Sequence, residues 1–180
     1  MHHPTETVWT EINTRMGPMT LAATPRGLAG VWFVGQRHYP QKPIGRRVDG
    51  DAVLLRAQQE LHAYLAGTRD AFTLPLDLTA GTPFQQSVWQ ALLQIPVGAT
   101  RSYAAISAQI GRPNAMRAVG AAVGRNPVSI IVPCHRVIGA NGSLTGYAGG
   151  LDRKAQLLAL ETDMATAPAS AGPEIRTIAA

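Results

Sequence analysis

Residues 130–137 read Ile-Ile-Val-Pro-Cys-His-Arg-Val and place the only cysteine of the 180-residue chain directly before a histidine. Branched apolar residues followed by a proline predict a short buried strand that ends at Pro133, with Cys134 at the start of a loop. Reactive side chains are often displayed where a strand gives way to a loop. A lone cysteine, however, is more often a small buried apolar residue than a nucleophile. The rest of the sequence must decide between these two interpretations.

The composition is typical of a globular protein with a substantial core. The chain is 46% hydrophobic and long enough for one large domain or two small ones. No apolar run approaches the roughly 20 residues that cross a bilayer, and residues 1–4 lack the basic and then apolar layout of a signal peptide. The single cysteine cannot form an intramolecular disulfide, and the five histidines lack metal-ligand spacing. We therefore expect a cytoplasmic protein with a free thiol, no metal and no membrane contact.

The charge of the chain is positive and unevenly distributed. The formal net charge is +5, and the sequence pI is about 10.0. Between residues 101 and 154 every charged residue except Asp152 is lysine or arginine. The basic surplus therefore lies in the half that contains Cys134. This pattern is consistent with a solvated basic face and equally with a surface that binds nucleic acid.

The N-terminal half predicts an α/β domain. Residues 8–34 contain short β-prone segments separated by turn sequences at 16–18 and 25–27, which predicts an antiparallel meander. Residues 35–50 predict a loop, residues 51–66 an amphipathic helix, and residues 72–76 an edge strand. The turn-rich link at 77–81 places the domain boundary, so that the first domain spans residues 1–79.

The C-terminal half predicts a mainly helical domain over residues 80–162. Thr82, Pro83 and Gln85 form a capping-box sequence for a helix that runs to about Gln94. Ser102 caps a second helix over 103–110, and a tight turn leads to a third over 115–123, which together match a helix-turn-helix. A final helix over 152–161 is expected to bury its leucines and alanine, namely Leu151, Ala155, Leu157 and Leu158. Residues 163–180 lack periodicity and predict a disordered tail.

The third helix of this domain has almost no bulky side chains. Residues 115–124 read AMRAVGAAVG, so Arg117 is its only charged residue. Small side chains let a helix pack tightly within its own protein, and they also let a helix lie in a DNA groove. The sequence pattern alone leaves both interpretations open.

Several longer motifs occur between residues 82 and 161. They are PCHRV at 133–137, GYAGGL at 146–151, FQQSVW at 84–89, RSY at 101–103, RAVG at 117–120 and the pair Asn126-Pro127. Together they closely resemble the signature of the O6-alkylguanine-DNA alkyltransferases. The N-terminal part resembles this family more weakly, through residues 17–21 and the order of its elements. The resemblance implies a ribonuclease H-like α/β domain followed by a helical DNA-binding domain.

The resemblance also implies a reaction, in which the alkyl group of O6-alkylguanine, or of O4-alkylthymine, passes irreversibly to Cys134 once per molecule. It implies that His135 takes the thiol proton through a bound water, with Glu161 orienting the imidazole and Asn126 tying the turn together. Tyr103 would protonate the departing guanine. These roles suit the chemistry, because an ordinary thiol is mostly protonated at neutral pH and an aromatic leaving group departs more easily with a proton.

For the base pocket, the resemblance implies that Tyr147 and the backbone of Ala148 surround the flipped guanine. Main-chain carbonyls near Cys134 and Val137 would read its exocyclic amine, and Lys154 would support the pocket. No organic cofactor is implied, since the cysteine itself accepts the alkyl group.

For the nucleic acid, the resemblance implies double-stranded DNA bound through its minor groove by a monomeric protein. Arg117 matches the arginine that fills the place of the flipped base. The small residues Ala115, Ala118 and Gly120 would let the helix approach the groove closely, and the flipping step itself costs a few kcal/mol.

The sequence departs from the family pattern at a few positions, and three other functions are alternatives to alkyl transfer. Ala148 stands where some relatives have serine, and Thr145 is expected to narrow the pocket against bulky alkyl groups. A lesion binder that does not repair would lack the nucleophilic cysteine, so Cys134 argues against it. A damage-responsive regulator would carry an additional cysteine-rich metal module, and a thiol hydrolase rests on the adjacent Cys-His pair alone, which is weak support.

Overall fold

The computed structural model describes residues 6–41 and 45–166. Residues 1–5, 42–44 and 167–180 lie outside the described residues, and the last of these ranges holds most of the predicted tail. Within the described residues, no helix is long and apolar enough to cross a membrane.

The N-terminal domain is built on a small mixed sheet. β1 (Val8–Thr14), β2 (Gly17–Thr24) and β3 (Gly27–Phe33) form the predicted antiparallel meander. Gly27 has φ 139°, and a Cβ there would lie 2.5 Å from the carbonyl oxygen of Pro75, so this turn requires glycine. β4 (Arg46–Arg47) pairs in parallel with β1 and completes the order β3-β2-β1-β4. The meander over 8–34 is therefore as predicted, whereas the segment 35–50, predicted as a loop, contributes a short parallel strand that makes the sheet mixed.

One helix covers the inner face of the sheet. α1 (Ala52–Leu65) begins where the Asp51 carboxylate accepts hydrogen bonds from the backbone amides of Val53 and Leu54, at 2.9 and 3.1 Å. Its buried stripe includes Leu61 and Tyr64, both fully buried in the main hydrophobic core. The prediction of an amphipathic helix over 51–66 is confirmed.

The predicted edge strand at residues 72–76 is not formed. Only Leu76 makes an isolated parallel bridge to Leu28, flanked by backbone hydrogen bonds from Leu28 to Pro75 and from Asp77 to Leu28. Pro75 has no amide hydrogen, so it cannot continue a ladder of hydrogen bonds. The segment instead carries the chain from the sheet edge to the second domain.

The C-terminal domain contains four helices: α2 (Pro83–Leu93), α3 (Tyr103–Gln109), α4 (Met116–Gly124) and α5 (Leu151–Thr166). The capping box of α2 is present, with Gln85 and Thr82 each accepting from the other's backbone amide. Ser102 caps α3 as predicted, and Gly111 at φ 69° ends it in a tight turn before α4. The helix-turn-helix is thereby confirmed. Two short parallel strands, β5 (Arg101–Ser102) and β6 (Val137–Ile138), join the helices to the segment that carries the cysteine.

The predicted buried strand at residues 130–133 was wrong. These residues form turns, Ile130 has φ 72°, and only the preceding Val128 bridges to Val31 of β3. The apolar side chains are nevertheless buried as expected. The backbone can turn here because the Asn126 side chain accepts from the Val128 amide and donates to the carbonyls of Val128 and Val132.

The burial of α5 also differs from the prediction. Leu157 is fully buried, but Leu151 is 47% exposed, Ala155 is exposed and Leu158 is only partly buried. The inward face instead carries Lys154 and Glu161, both completely buried. The helix also continues to Thr166, past its predicted end at Glu161, so the prediction of a disordered tail was wrong for residues 163–166. The hydrophobic pattern did not predict this face, because Lys154 and Glu161 are polar and are buried only through their hydrogen bonds within the protein.

Candidate active site

Cys134 begins a single 3₁₀ turn, Cys134–Arg136, between the turn at 130–133 and β6. The side chain is 4% exposed and belongs to the main hydrophobic core. Asn126 fixes its position, because the amide Nδ2 donates to the carbonyl of Val132 at 2.8 Å and to Cys134 Sγ at 3.1 Å. The same residue that shapes the turn therefore also holds the sulfur.

Burial raises the pKa of the Cys134 thiol, since a thiolate is poorly solvated in the core. The hydrogen bond from Asn126 and the positive charge of Lys154 oppose this effect without cancelling it. Cys134 is therefore a protonated thiol at neutral pH. It needs a base beside it before it can act as a nucleophile.

His135 and Glu161 form the candidate base. His135 Nε2 lies 2.5 Å from Glu161 Oε1, and both side chains are completely buried. Burial lowers the pKa of His135 although Glu161 opposes the shift, so the imidazole is neutral at pH 7. Nε2 must carry its hydrogen, because a carboxylate can only accept. Nδ1 consequently holds the free lone pair, and it has no hydrogen-bond partner among the described residues.

Glu161 is ionised despite its burial. Burial alone would raise the pKa of this carboxyl group, but hydrogen bonds from His135, Arg136 and Tyr64 outweigh it and lower the pKa to about 2. Arg136 donates from Nε to Oε2 at 2.8 Å and from Nη2 to Oε1 at 3.0 Å. The backbone amide of Gly98 reaches Oε2 at 3.4 Å.

Sequence reasoning missed Tyr64 and gave no role to Arg136. The Tyr64 hydroxyl donates to Glu161 Oε1 from the other domain, 97 residues away in the chain. One signal was present, since Tyr64 lies on the apolar stripe of α1 and a buried tyrosine hydroxyl needs a partner. Nothing in that signal identifies Glu161 as the partner.

Lys154 joins the cysteine turn to the glycine-rich segment at 139–150. Its fully buried ammonium donates to the carbonyl of Val137 and, at 2.6 Å, to that of Thr145. Burial lowers the pKa of Lys154, and the neighbouring Cys134 opposes this shift. The position agrees with a supporting role for the pocket, and it engages the carbonyl of Val137 that was expected to face a bound base.

The glycine-rich segment lies over the site. Tyr147 is set edge-on to His135, with ring centroids 6.4 Å apart, and its side chain is removed from solvent, which raises the pKa of its hydroxyl. The carbonyl of Ala148 accepts from the Arg37 amide at 3.0 Å. The Thr145 hydroxyl donates to the Tyr103 hydroxyl at 3.2 Å, which connects this segment to the start of α3.

Several small residues of α4 face outward, whereas Ala122 is buried. Val119 and Val123 face the core, whereas Arg117 and Ala118 are exposed and Gly120 is partly exposed. Ala115, at the start of the helix, is partly buried. A cleft of about 350 Å³ runs between α3 and α4 and is lined by residues that include Tyr103, Met116, Arg117, Gly120 and Ala140. The tight-packing interpretation of the small residues is thus wrong for Ala118, which contacts solvent.

The structure therefore brings the predicted residues into two neighbouring groups. Two buried hydrogen-bonded pairs, Asn126 with Cys134 and His135 with Glu161, are joined through the backbone of the 3₁₀ turn, and Lys154 bonds the carbonyl of Val137 just after it. Tyr103, Arg117 and Gly120 line the cleft between α3 and α4. Among residues 6–41 and 45–166, no group of three or more histidine, cysteine, aspartate or glutamate side chains is arranged to hold a metal ion.

The fold combines an α/β domain with a helical domain that exposes a helix of small residues. Its site is a buried cysteine beside a histidine-carboxylate pair. Together these features define a class of two-domain proteins that carry a reactive thiol. The chain belongs to the 6-O-methylguanine DNA methyltransferase family. The family model of the ribonuclease-like domain matches residues 7–78, and that of the DNA-binding domain matches residues 83–163.

Individual relatives agree with this assignment. The chain is 49% identical over 156 residues to the methylated-DNA–protein-cysteine methyltransferase of Mycobacterium tuberculosis, covering 87% of this chain and 93% of the relative. The corresponding protein of Methanosarcina acetivorans is 49% identical over 146 residues, covering 81% and 92%. The crystal structure of Mycobacterium tuberculosis OGT in complex with DNA superposes with a TM-score of 0.80 at 47% identity, covering 87% and 94%.

Proposed function

We propose that this protein repairs DNA by transferring the alkyl group of O6-alkylguanine, and of O4-alkylthymine, directly and irreversibly to the sulfur of Cys134. The observation that carries the proposal is the buried Cys134 held by Asn126 beside the neutral His135, whose Nε2 is engaged by Glu161. Membership of the methyltransferase family supports the same conclusion. So do the relatives named methylated-DNA–protein-cysteine methyltransferase.

The proposed reaction includes two proton transfers. His135 Nδ1 holds a lone pair and, through a bound water, takes the thiol proton as the sulfur attacks the alkyl carbon. The sulfur-carbon bond forms while the carbon-oxygen bond breaks. The Tyr103 hydroxyl accepts from Thr145, so its own hydrogen is free to protonate the departing base. Overall, the thiol hydrogen is replaced by the alkyl group and the guanine regains a hydrogen, and the balance closes when His135 releases its proton to solvent and Tyr103 takes one up.

Each molecule reacts once in this proposal. The product is a thioether, and a saturated carbon bound to sulfur in this way is not activated toward water. The protein is therefore both catalyst and consumed reagent, and the reaction needs no organic cofactor.

The approach to the DNA rests on the exposed face of α4. Ala118 and Gly120 allow the helix to lie in the minor groove of a duplex, with Ala115 at its start. A base within a duplex cannot reach a sulfur that is 4% exposed, so the damaged nucleotide is flipped out and Arg117 fills its place in the stack. The flipped base enters beside Tyr147 and the backbone of Ala148.

The setting of this activity is part of the proposal. The reaction consumes a free thiol, which a reducing compartment preserves, so we place the protein in the cytoplasm. The cleft, the cysteine and the supporting network all come from one chain, which is consistent with action as a monomer.

Intact mass measurement tests the proposal. The protein is incubated with duplex DNA that contains O6-methylguanine, and the protein and the DNA are then analysed separately. The expected result is a gain of one methylene mass that is located on Cys134, is absent from Cys134→Ser and is accompanied by repaired guanine. An unchanged protein mass with unrepaired DNA would overturn the proposal.

A further inference from the structure

We propose that Tyr64, a residue of the N-terminal domain, is a positioning residue for the reactive cysteine: its hydroxyl fixes the Glu161 carboxylate and thereby the orientation and basicity of His135. The proposal rests on the function proposed above and adds to it a contribution from the other domain. It follows from the contacts of a single buried hydroxyl group.

The Tyr64 side chain is held rigidly. It is completely buried near the C-terminal end of α1, and its ring packs against Phe72 with centroids 4.9 Å apart and planes tilted by 36°. Burial and the nearby Glu161 raise the pKa of Tyr64, so the hydroxyl keeps its hydrogen throughout the working pH range. The phenol is therefore a permanent donor aimed at Glu161 Oε1.

Glu161 Oε1 accepts hydrogen bonds from both domains and from the candidate base, His135. It accepts from Tyr64, from Arg136 Nη2 at 3.0 Å and from His135 Nε2 at 2.5 Å. Arg136 also bonds Oε2, so it fixes the plane of the carboxylate along one edge. Tyr64 supplies the additional contact to Oε1, and Glu161 is the only side chain that hydrogen-bonds to His135 in the described residues.

The same hydroxyl tunes the base electrostatically. A hydrogen bond from Tyr64 stabilises the negative charge on Glu161 and so weakens the pull of Oε1 on the His135 hydrogen. Without this donor, Glu161 would stabilise the imidazolium more strongly, and the pKa of His135 would rise. The titratable and charged groups that surround this pair come from each packed element: Tyr64 of α1, Cys134 and Arg136 of the 3₁₀ turn, Lys154 of α5 and Tyr147 of the glycine-rich segment. Of these groups, only Tyr64 belongs to the N-terminal domain.

The consequence for the reaction has a defined sign. His135 serves as a base only while it is neutral, so the rate of alkyl transfer falls as pH drops through the pKa of His135. Tyr64→Phe raises that pKa, and the acidic limb of the pH-rate profile therefore moves to higher pH. We expect the single-turnover rate near neutral pH to fall roughly tenfold, a fraction of what a positioned general base contributes.

The matched control is Tyr39→Phe. Tyr39 lies in the same domain, and its hydroxyl bonds the Thr20 hydroxyl at 2.8 Å on the outer face of the sheet. Both variants thus lose one phenolic hydroxyl; the Tyr39 hydroxyl bonds only Thr20 among the described residues, whereas that of Tyr64 donates to Glu161 and also accepts from Arg136 Nη2 at 3.4 Å. Only Tyr64→Phe is expected to shift the pH-rate profile for O6-methylguanine DNA.

A second variant separates positioning from stability. Replacing Tyr64 alone by a fluorotyrosine makes the phenol a stronger donor, so the acidic limb is expected to move to lower pH. Opposite displacements by the two variants, with Tyr39→Phe unchanged, support the proposal. The proposal is overturned if the Tyr64 variants melt at lower temperature but keep the wild-type pH-rate profile. It is also overturned if Tyr39→Phe shifts that profile in the same direction as the Tyr64 variants do.

NMR of the His135 ring keeps this test distinct from the proposed function. The nitrogen chemical shifts of His135 are followed against pH in the wild type and in Tyr64→Phe, without DNA. We expect a raised pKa for His135 in the variant whether or not the wild type takes an alkyl group from DNA. Failure of the wild type to take the alkyl group would overturn the proposed function alone. Identical titrations would refute the role of Tyr64.

Discussion

Glu161 shows how a buried charge can be stable in this fold. Its carboxylate is removed from water, but it accepts hydrogen bonds from Tyr64, His135, the Arg136 guanidinium and the Gly98 amide. A buried carboxylate with several charge-assisted donors is more acidic than a free one, which explains its pKa of about 2. The ionised form is what holds the His135 hydrogen on Nε2.

The acidity of Glu161 predicts a pH dependence of folding. Its folded pKa of about 2 lies below the value of about 4.3 for an unfolded chain. The stabilisation is therefore present above about pH 5 and is lost as the pH falls toward 2, a change of about 3 kcal/mol. We expect Glu161→Gln to remove this part of the dependence of the unfolding free energy on pH, as measured by urea denaturation between pH 3 and pH 7.

Asp77→Asn is the control for this measurement. Hydrogen bonds from Thr24, Thr79 and Arg26 outweigh burial and lower the pKa of Asp77 to about 2 as well, with none of the partners of Glu161 involved. This variant should lose its own contribution and keep that of Glu161. Equal slopes against pH in Glu161→Gln and the wild type would contradict the prediction.

Thr145 predicts a preference among alkyl groups. Its hydroxyl is bonded to Tyr103 and its carbonyl to Lys154, so it is held at the edge of the proposed base pocket. We expect methyl lesions to react faster than benzyl lesions by at least about tenfold, since a well-packed pocket discriminates by this amount for a small change in volume. Thr145→Gly should narrow the difference. Equal single-turnover rates for both lesions in the wild type would refute this role.

At the residue scale, the sequence motifs pointed to Cys134, His135, Glu161 and Asn126, and the structure pairs Cys134 with Asn126 and His135 with Glu161 at one buried turn. Their chemical roles stay predictions that experiments must test. Tyr64 could not have been assigned in advance, because its role depends on how the two domains pack and not on any local pattern. A buried hydroxyl group requires a hydrogen-bond partner, but the sequence does not identify that partner.

At the scale of elements, the helices with strong end signals were predicted well. α2 and α3 have capping residues whose side chains bond the first backbone amides, which is a local property of the sequence. Residues 130–133 were assigned wrongly, because an apolar run indicates burial but not backbone geometry. Here the Asn126 side chain satisfies the backbone groups that a neighbouring strand would otherwise bind.

The outward face of α4 gives a prediction at this scale. Ala118 is exposed beside Arg117, and a glutamate there would place bulk and negative charge against the DNA backbone. We expect Ala118→Glu to weaken duplex binding by roughly tenfold or more, which corresponds to the loss of about one good contact, while the unfolding free energy changes by less than about 0.5 kcal/mol. Binding is measured by fluorescence anisotropy with labelled DNA.

Ala155→Glu is the matched control for the α4 variant. Ala155 is an exposed alanine on α5, so the substitution changes the net charge by the same amount on another helix. A general charge effect would weaken DNA binding equally in both variants. We expect the loss only in Ala118→Glu, and an equal loss would remove the case for α4 as the binding face.

At the scale of the whole molecule, the two domains share one hydrophobic core. Leu21, Val31 and Phe33 of the sheet belong to the same buried cluster as Val119 of α4 and Cys134. The bridge between Val31 and Val128, the hydrogen bond from Tyr64 to Glu161 and that from Arg37 to Ala148 add polar links across the domains. The reactive sulfur therefore lies within the packing that holds both domains together.

This position predicts that the alkylated product is less stable than the unreacted protein. Cys134 is 4% exposed, and an additional methyl group in a packed core costs about 1–3 kcal/mol. For a chain of this length, such a loss lowers the melting temperature by roughly 3–10 °C. The expected result is a lower melting temperature for wild-type protein after reaction with O6-methylguanine DNA and removal of the DNA. Cys134→Ser treated in the same way should melt unchanged, and a reacted wild type that melts at or above its original temperature would show that the site accommodates the methyl group without strain.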